Sequence, residues 1–221
     1  MSSQPRSTRY RIRFKKTAGM RFTGTLDLQR TLERTMRRAS LDVAYTQGFN
    51  PRPRLSLGAA LPLGLVSDCE LADIWLEGAG EPGRVLDGLR RAEPPGLEFL
   101  ELEPVPDEEP SLQKLITAAE YRAEMDRDGA DGEIQDRVEA LVGKESLPRE
   151  RRGKAYDLRP LIDSLEVETD SADSMVFRMR LASREGATGR PDEVLLALGL
   201  DPLAARICRT RLFLSTPTHS G

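Results

Sequence analysis

The chain has 221 residues, of which 38% are hydrophobic and 31% charged, and a net charge of -3. That is enough apolar sequence for one large core or two small ones, and no apolar run approaches the roughly 18 residues of a membrane-spanning helix. The sole histidine is His219, and the two cysteines, Cys69 and Cys208, stand far apart. These features exclude Ser-His-Asp and Cys-His arrangements and leave no zinc or iron–sulfur spacing, so no catalytic residue, metal site or cofactor is expected.

The strand pattern begins at Thr8–Lys16, where Tyr10, Ile12 and Phe14 alternate with Arg9, Arg11, Arg13 and Lys15. A half-buried strand with one basic face is expected there. After a loop, Leu26, Leu28, Leu32 and Met36 recur at helical spacing through Ala39, with Thr25 or Asp27 as the expected cap. Arg30, Arg34, Arg37 and Arg38 fall on the wetter faces of this helix. A short extended stretch, Leu41–Tyr45, leads into Gln47–Arg54, whose two prolines forbid a helix or a central strand. Leu55–Leu63 reads as a strand and its exit, and Glu70–Glu77 as another strand of unassigned register. A helix over Pro82–Arg91 stops at Pro94-Pro95-Gly96, and Leu97–Leu102 forms a further strand.

The second half repeats this order. Strand Ala119–Met125 precedes a helix through Ile134, Val138 and Leu141, and Pro148–Lys154 is a polar, basic turn. Extended stretches at Ala155–Leu161 and Ser164–Glu168 precede an alternating strand, Met175–Leu181. Pro191 opens a helix ended by Gly199, and a last strand follows through Ala205 and Ile207. The fold class expected is α+β, with two ferredoxin-like (β-α-β-β-α-β) domains in tandem. Their expected bounds are residues 1–103 and 112–214, with a linker at 104–111 and a disordered tail at 215–221.

Charge is divided unevenly between these parts. Residues 1–60 hold thirteen Lys and Arg against three acids, and the remainder is acidic by thirteen charges. A split of this size can aim a molecule at a polyanion, or mate its basic part with acidic groups of its own or of a partner. The distinctive basic segment is Tyr45-Thr-Gln-Gly-Phe-Asn-Pro-Arg-Pro-Arg54. Pro51 and Pro53 stiffen it, Arg52 and Arg54 share one face of an extended chain, and Tyr45 and Phe49 suit stacking on bases. Asn50 would read a base edge or hold the loop. A structural alternative is Phe49 as a core plug with the arginines paired to acids. Arg149, Arg151, Arg152 and Lys154 form a second basic cluster that would either extend such a groove or lie in a solvated turn. Met1–Arg6 lacks the apolar core of a secretory leader, and the thiols suit a reducing compartment, so a cytoplasmic protein without membrane contact is expected.

Gly19-Met20-Arg21-Phe22, Leu26-Asp27-Leu28, Arg37-Arg38-Ala39, and Gln47-Gly48-Phe49-Asn50-Pro51 through Leu61-Pro62-Leu63-Gly64 resemble the uncharacterised radical-SAM-linked family of bacterial proteins. The likeness continues at Gly153–Leu161 and Gly189-Arg190-Pro191. Two departures stand out: the family's pattern resembles Ser-His-Leu-Asp where this chain has Gly24-Thr25-Leu26-Asp27, and it often has histidine at Arg52. The resemblance implies a radical SAM enzyme or an E/G-type ribonuclease as partner, with the chemistry on the partner. The function expected is a non-enzymatic RNA-binding or substrate-presenting accessory protein. A protein-interaction adaptor is the alternative, and a ribonuclease working without histidine is a third reading.

Overall fold

The computed structural model describes residues 7–78, 80–126, 131–151, 153–171, 174–184 and 186–215. His219 and the tail lie outside them, apart from Ser215. Contacts divide the chain after Leu115: one compact unit precedes that point and takes Ser215 back, and the other runs from Ile116 to Leu214.

The first unit contains β1 (Ser7–Lys16), α1 (Thr25–Arg38), β2 (Leu55–Leu57), β3 (Val66–Glu77), α2 (Pro82–Arg91), β4 (Leu97–Pro104) and the single turn α3 (Leu112–Leu115). Its strands lie in the order β4-β1-β3-β2, every pair antiparallel. Alternation along β1 sends Tyr10, Ile12 and Phe14 into a core. There they meet Leu28, Leu32 and Met36 of α1, Ala72, Ile74 and Leu76 of β3, and Val85 and Leu89 of α2. Lys16 shares this inward face and is 1% exposed; its ammonium donates to the carbonyls of Arg21 and Leu65.

Two local expectations change. The residue before α1 is Gly24, and no side chain caps the helix. Asp27 instead sits in the first turn, where the helix dipole favours a carboxylate, and accepts from Arg30 at 3.1 Å. Leu26 faces solvent rather than the core.

The second unit contains β5 (Ile116–Asp126), α4 (Asp131–Val142), the hairpin β6 (Pro148–Arg151) and β7 (Lys154–Asp157), β8 (Ile162–Ser171), β9 (Ser174–Arg184), β10 (Ala187–Thr188), α5 (Pro191–Ala197) and β11 (Arg206–Leu214). The order β11-β5-β9-β8 is again wholly antiparallel, with β10 also pairing to β9. Tyr121, Phe177, Met179, Leu181, Val194 and Leu195 are among its buried side chains. The basic turn expected at Pro148–Lys154 is thus the β6–β7 hairpin. Both units are α+β, built on antiparallel strands. Among the described residues no helix is long and apolar enough to cross a membrane.

Candidate functional site

The Gly48-Phe49-Asn50-Pro51 segment is the tip of a tied excursion between α1 and β2. A turn at Ser40, with φ of 54°, ends α1 and directs the chain along β3. The Glu77 amide donates to the Asp42 carbonyl at 2.7 Å. Three residues then close a ring of backbone bonds. Ala44 donates to Trp75 at 2.8 Å, Trp75 to Arg54 at 3.1 Å, and Arg54 to Ala44 at 2.7 Å. One step further out, Thr46 donates to the Arg52 carbonyl at 2.8 Å, and the Arg52 amide returns a bond to the Thr46 hydroxyl at 3.0 Å.

The prolines fit this pattern. In Pro51-Arg52-Pro53-Arg54 only Arg52 and Arg54 have an amide to donate, and both amides are engaged on the outgoing chain, at Thr46 and Ala44. Gly48 supplies a φ of 132° at the tip. Phe49 is fully exposed and Tyr45 half exposed, while Asn50, Arg52 and Arg54 are exposed. Phe49 is therefore no core plug. The Arg54 guanidinium lies 4.3 Å from the centroid of the Trp75 ring. Tyr45, Gln47 and Arg54 line a hollow of about 340 Å³ with Ser7 and Glu77.

Along α1, Leu26, Arg30, Arg34 and Arg37 recur on the exposed surface. Among the described residues Arg34 and Arg37 have no acidic partner, whereas Arg38 donates to the Ala92 carbonyl at 2.6 Å. Arg38 and Arg91 also border a second hollow with Ser40 and Glu93.

β1 does not present the basic face read from its alternation. Arg11 is buried: its guanidinium meets Asp73 at 2.9 Å and Glu109 at 2.6 Å. Burial disfavours its charge, but the hydrogen bonds to Asp73 and Glu109 outweigh that effect and hold it more firmly protonated than usual. Arg9 joins the same cluster through Asp73 and through the carbonyls of Glu109 and Pro110. Residues 109–110, read as linker from sequence, thereby cover β1. Arg13 remains exposed, 3.6 Å from Glu101. Arg11 leaves the candidate surface, and Arg13 contributes a compensated charge.

In the second unit, Arg151 and Lys154 are exposed on the β6–β7 hairpin, and Arg152 lies outside the described residues. Asp157, at the end of β7, accepts from the amides of Leu147 at 2.7 Å and Arg159 at 2.9 Å. These bonds, the first to the Leu147 amide, hold its carboxyl below the ordinary aspartate range. Among the described residues no three His, Cys, Asp or Glu side chains gather as metal ligands do.

Sequence reading passed over Trp75, which it took as an ordinary strand residue, and Glu77. It also passed over Phe22 and Leu63, which like Leu26 are largely exposed apolar side chains. Arg21, next to Phe22, is tied to Gly64, next to Leu63: it donates to the Gly64 carbonyl at 2.6 Å and accepts at its own carbonyl from the Gly64 amide at 3.0 Å.

The family model described as "Uncharacterized protein conserved in bacteria (DUF2344)" matches residues 9–191. No curated protein matches the chain. Among solved structures, a chain of a Cbf5-Nop10-Gar1 complex is similar with a TM-score of 0.51 and 14% identity, over 94% of this chain and 50% of that one. A chain of the archaeal box H/ACA sRNP Nop10-Cbf5 complex gives 0.43 and 15%, over 95% and 50%. The chain thus spans about half the length of these two. An unknown protein from Galdieria sulphuraria gives 0.27 and 14%, over 96% and 100%. The first of these likenesses is one of fold.

Proposed function

The chain belongs to the bacterial DUF2344 family, and we propose that it is a non-enzymatic module that holds single-stranded RNA on the Tyr45–Arg54 loop and presents it to a processing enzyme. The observation that carries this reading is a fully exposed Phe49 on a loop closed at its base by backbone bonds. An exposed ring on a stiff support is a stacking platform that loses little entropy on binding. Arg52, Asn50 and Tyr45 stand beside it for phosphate, base edge and a second stack. Arg34 and Arg37 add positive field on α1. We read both units as ferredoxin-like domains, supported by the strand orders β4-β1-β3-β2 and β11-β5-β9-β8.

Binding of a labelled single-stranded RNA, followed by fluorescence anisotropy across a salt series, tests the reading. Affinity should fall steeply with salt, by about 0.7 in log–log slope for each phosphate neutralised. Replacing Arg52 and Arg54 together by alanine should remove most of it. Unchanged affinity in that double variant would contradict the loop's role.

A second reading, an adaptor docking a partner protein, is favoured by the exposed Phe22, Leu26 and Leu63. The partner proposed from the family resemblance is a radical SAM enzyme or an E/G-type ribonuclease. Co-purification of such an enzyme that survives nuclease treatment and is lost in Phe22→Ser would support this reading. Capture that depends on RNA would refute it.

A further inference from the structure

Resting on the RNA reading, the geometry points to a guanine base as the occupant of the hollow at the foot of the loop. The hollow measures about 340 Å³, near the low end of the roughly 300–1,000 Å³ usual for small-ligand clefts. It suits one flat heterocycle rather than an extended ligand. Tyr45, half exposed at its wall, offers a ring on which a base can stack. Arg54 stands at the same wall, its guanidinium over Trp75 and exposed to solvent, where it can meet the phosphate attached to that base.

Glu77 decides which base. Its backbone amide is fixed on the Asp42 carbonyl at 2.7 Å, and it closes β3 opposite Ser7 of β1. Its side chain is exposed, and among the described residues nothing pairs with the carboxylate. An ionised carboxylate only accepts hydrogen bonds, through two adjacent oxygens. Guanine is the one common base whose Watson–Crick edge offers two adjacent donors, N1–H and the N2 amino group. Adenine and cytosine place a lone pair beside their single amino group, and uracil flanks its one N–H with two carbonyls. Each of these sets an acceptor against the carboxylate. Gln47 lies on the same hollow, and its amide can donate to the guanine O6.

The test uses the full chain and uridine oligonucleotides of about twelve nucleotides, carrying guanine, adenine, cytosine or inosine at one central position. The guanine oligonucleotide should bind about tenfold more tightly than the adenine one, as for a bidentate side chain–base pair. Inosine, which lacks the N2 amino group, should fall between them. Glu77→Gln should abolish the preference while leaving affinity for the all-uridine oligonucleotide and the urea midpoint unchanged. Equal binding of guanine and adenine, alongside salt-dependent RNA binding that Phe49→Ala weakens, would overturn the guanine assignment and leave the RNA reading standing. A preference that persists in Glu77→Gln would also overturn it. Absence of binding to every oligonucleotide would overturn both.

Discussion

Arg54 and Trp75 are joined twice: the Trp75 amide donates to the Arg54 carbonyl at 3.1 Å, and the Arg54 guanidinium lies 4.3 Å from the centroid of the Trp75 ring. The loop's returning strand is therefore fixed to β3 by backbone and side chain together. Arg52, two residues away, is exposed and has no acidic partner among the described residues.

The two arginines should accordingly separate. Arg54→Ala should lower stability by roughly 0.5–1 kcal/mol, the usual worth of an exposed cation–π contact, and also weaken RNA binding. Arg52→Ala should leave the urea midpoint unchanged and flatten the salt dependence of binding by about 0.7 in slope. Equal stability losses in the two variants would contradict the assignment.

The buried cluster of Arg9, Arg11 and Asp73 makes a stability prediction of its own. The Asp73 side chain is 1% exposed and serves both guanidinium groups. Asp73→Ala would leave two buried cations without that partner and should cost about 3–5 kcal/mol. Urea unfolding measures this, and a loss under 1 kcal/mol would show that the cluster is solvated.

That cluster also shows what local pattern conveys. The alternation in Thr8–Lys16 is visible in the sequence, and so are the core side of β1, the apolar spacing of α1 and the bounds Pro82–Arg91 of α2. Periodicity reports which residues share a face, but not what covers that face. Arg9 and Arg11 are covered by Asp73, more than 60 residues on, and by Glu109, about 100 residues on. The loop was legible as a proline-stiffened, basic segment because prolines and glycine act locally, whereas the exposure of Phe49 was left open against a core plug. Its partner Trp75 was not, because the link depends on how β2 and residues 42–44 lie along β3.

Two glycines should respond differently to alanine. At Gly96, φ is 94° and an added Cβ would lie 2.7 Å from both the Met20 amide nitrogen and its Cγ. Gly96→Ala combines backbone strain with a clash against main chain and should be strongly destabilising, by more than about 2 kcal/mol. At Gly48, φ is 132° but nothing lies within 4 Å of the added atom. Gly48→Ala should cost about 1 kcal/mol, through strain alone. Thermal unfolding of both variants checks the order.

Asp157 supplies a pH test. Its carboxyl is held below the ordinary aspartate range by the amides of Leu147 and Arg159 and the Ser146 hydroxyl. A depressed folded value means that the stabilisation is complete above the unfolded aspartate pKa and is lost as pH falls through the folded one. The Leu147 and Arg159 amide resonances should titrate together, with a midpoint below that of an unstructured aspartate. A midpoint at or above the ordinary value would contradict these bonds.

Phe49 as a stacking platform is tested most directly by a paired substitution. Single-stranded RNA affinity should fall by about 1–3 kcal/mol, tenfold or more, in Phe49→Ala and be largely retained in Phe49→Tyr. Both variants should keep the wild-type urea midpoint, because the side chain is fully exposed. Wild-type affinity in Phe49→Ala, measured by anisotropy at fixed salt, would contradict the central claim.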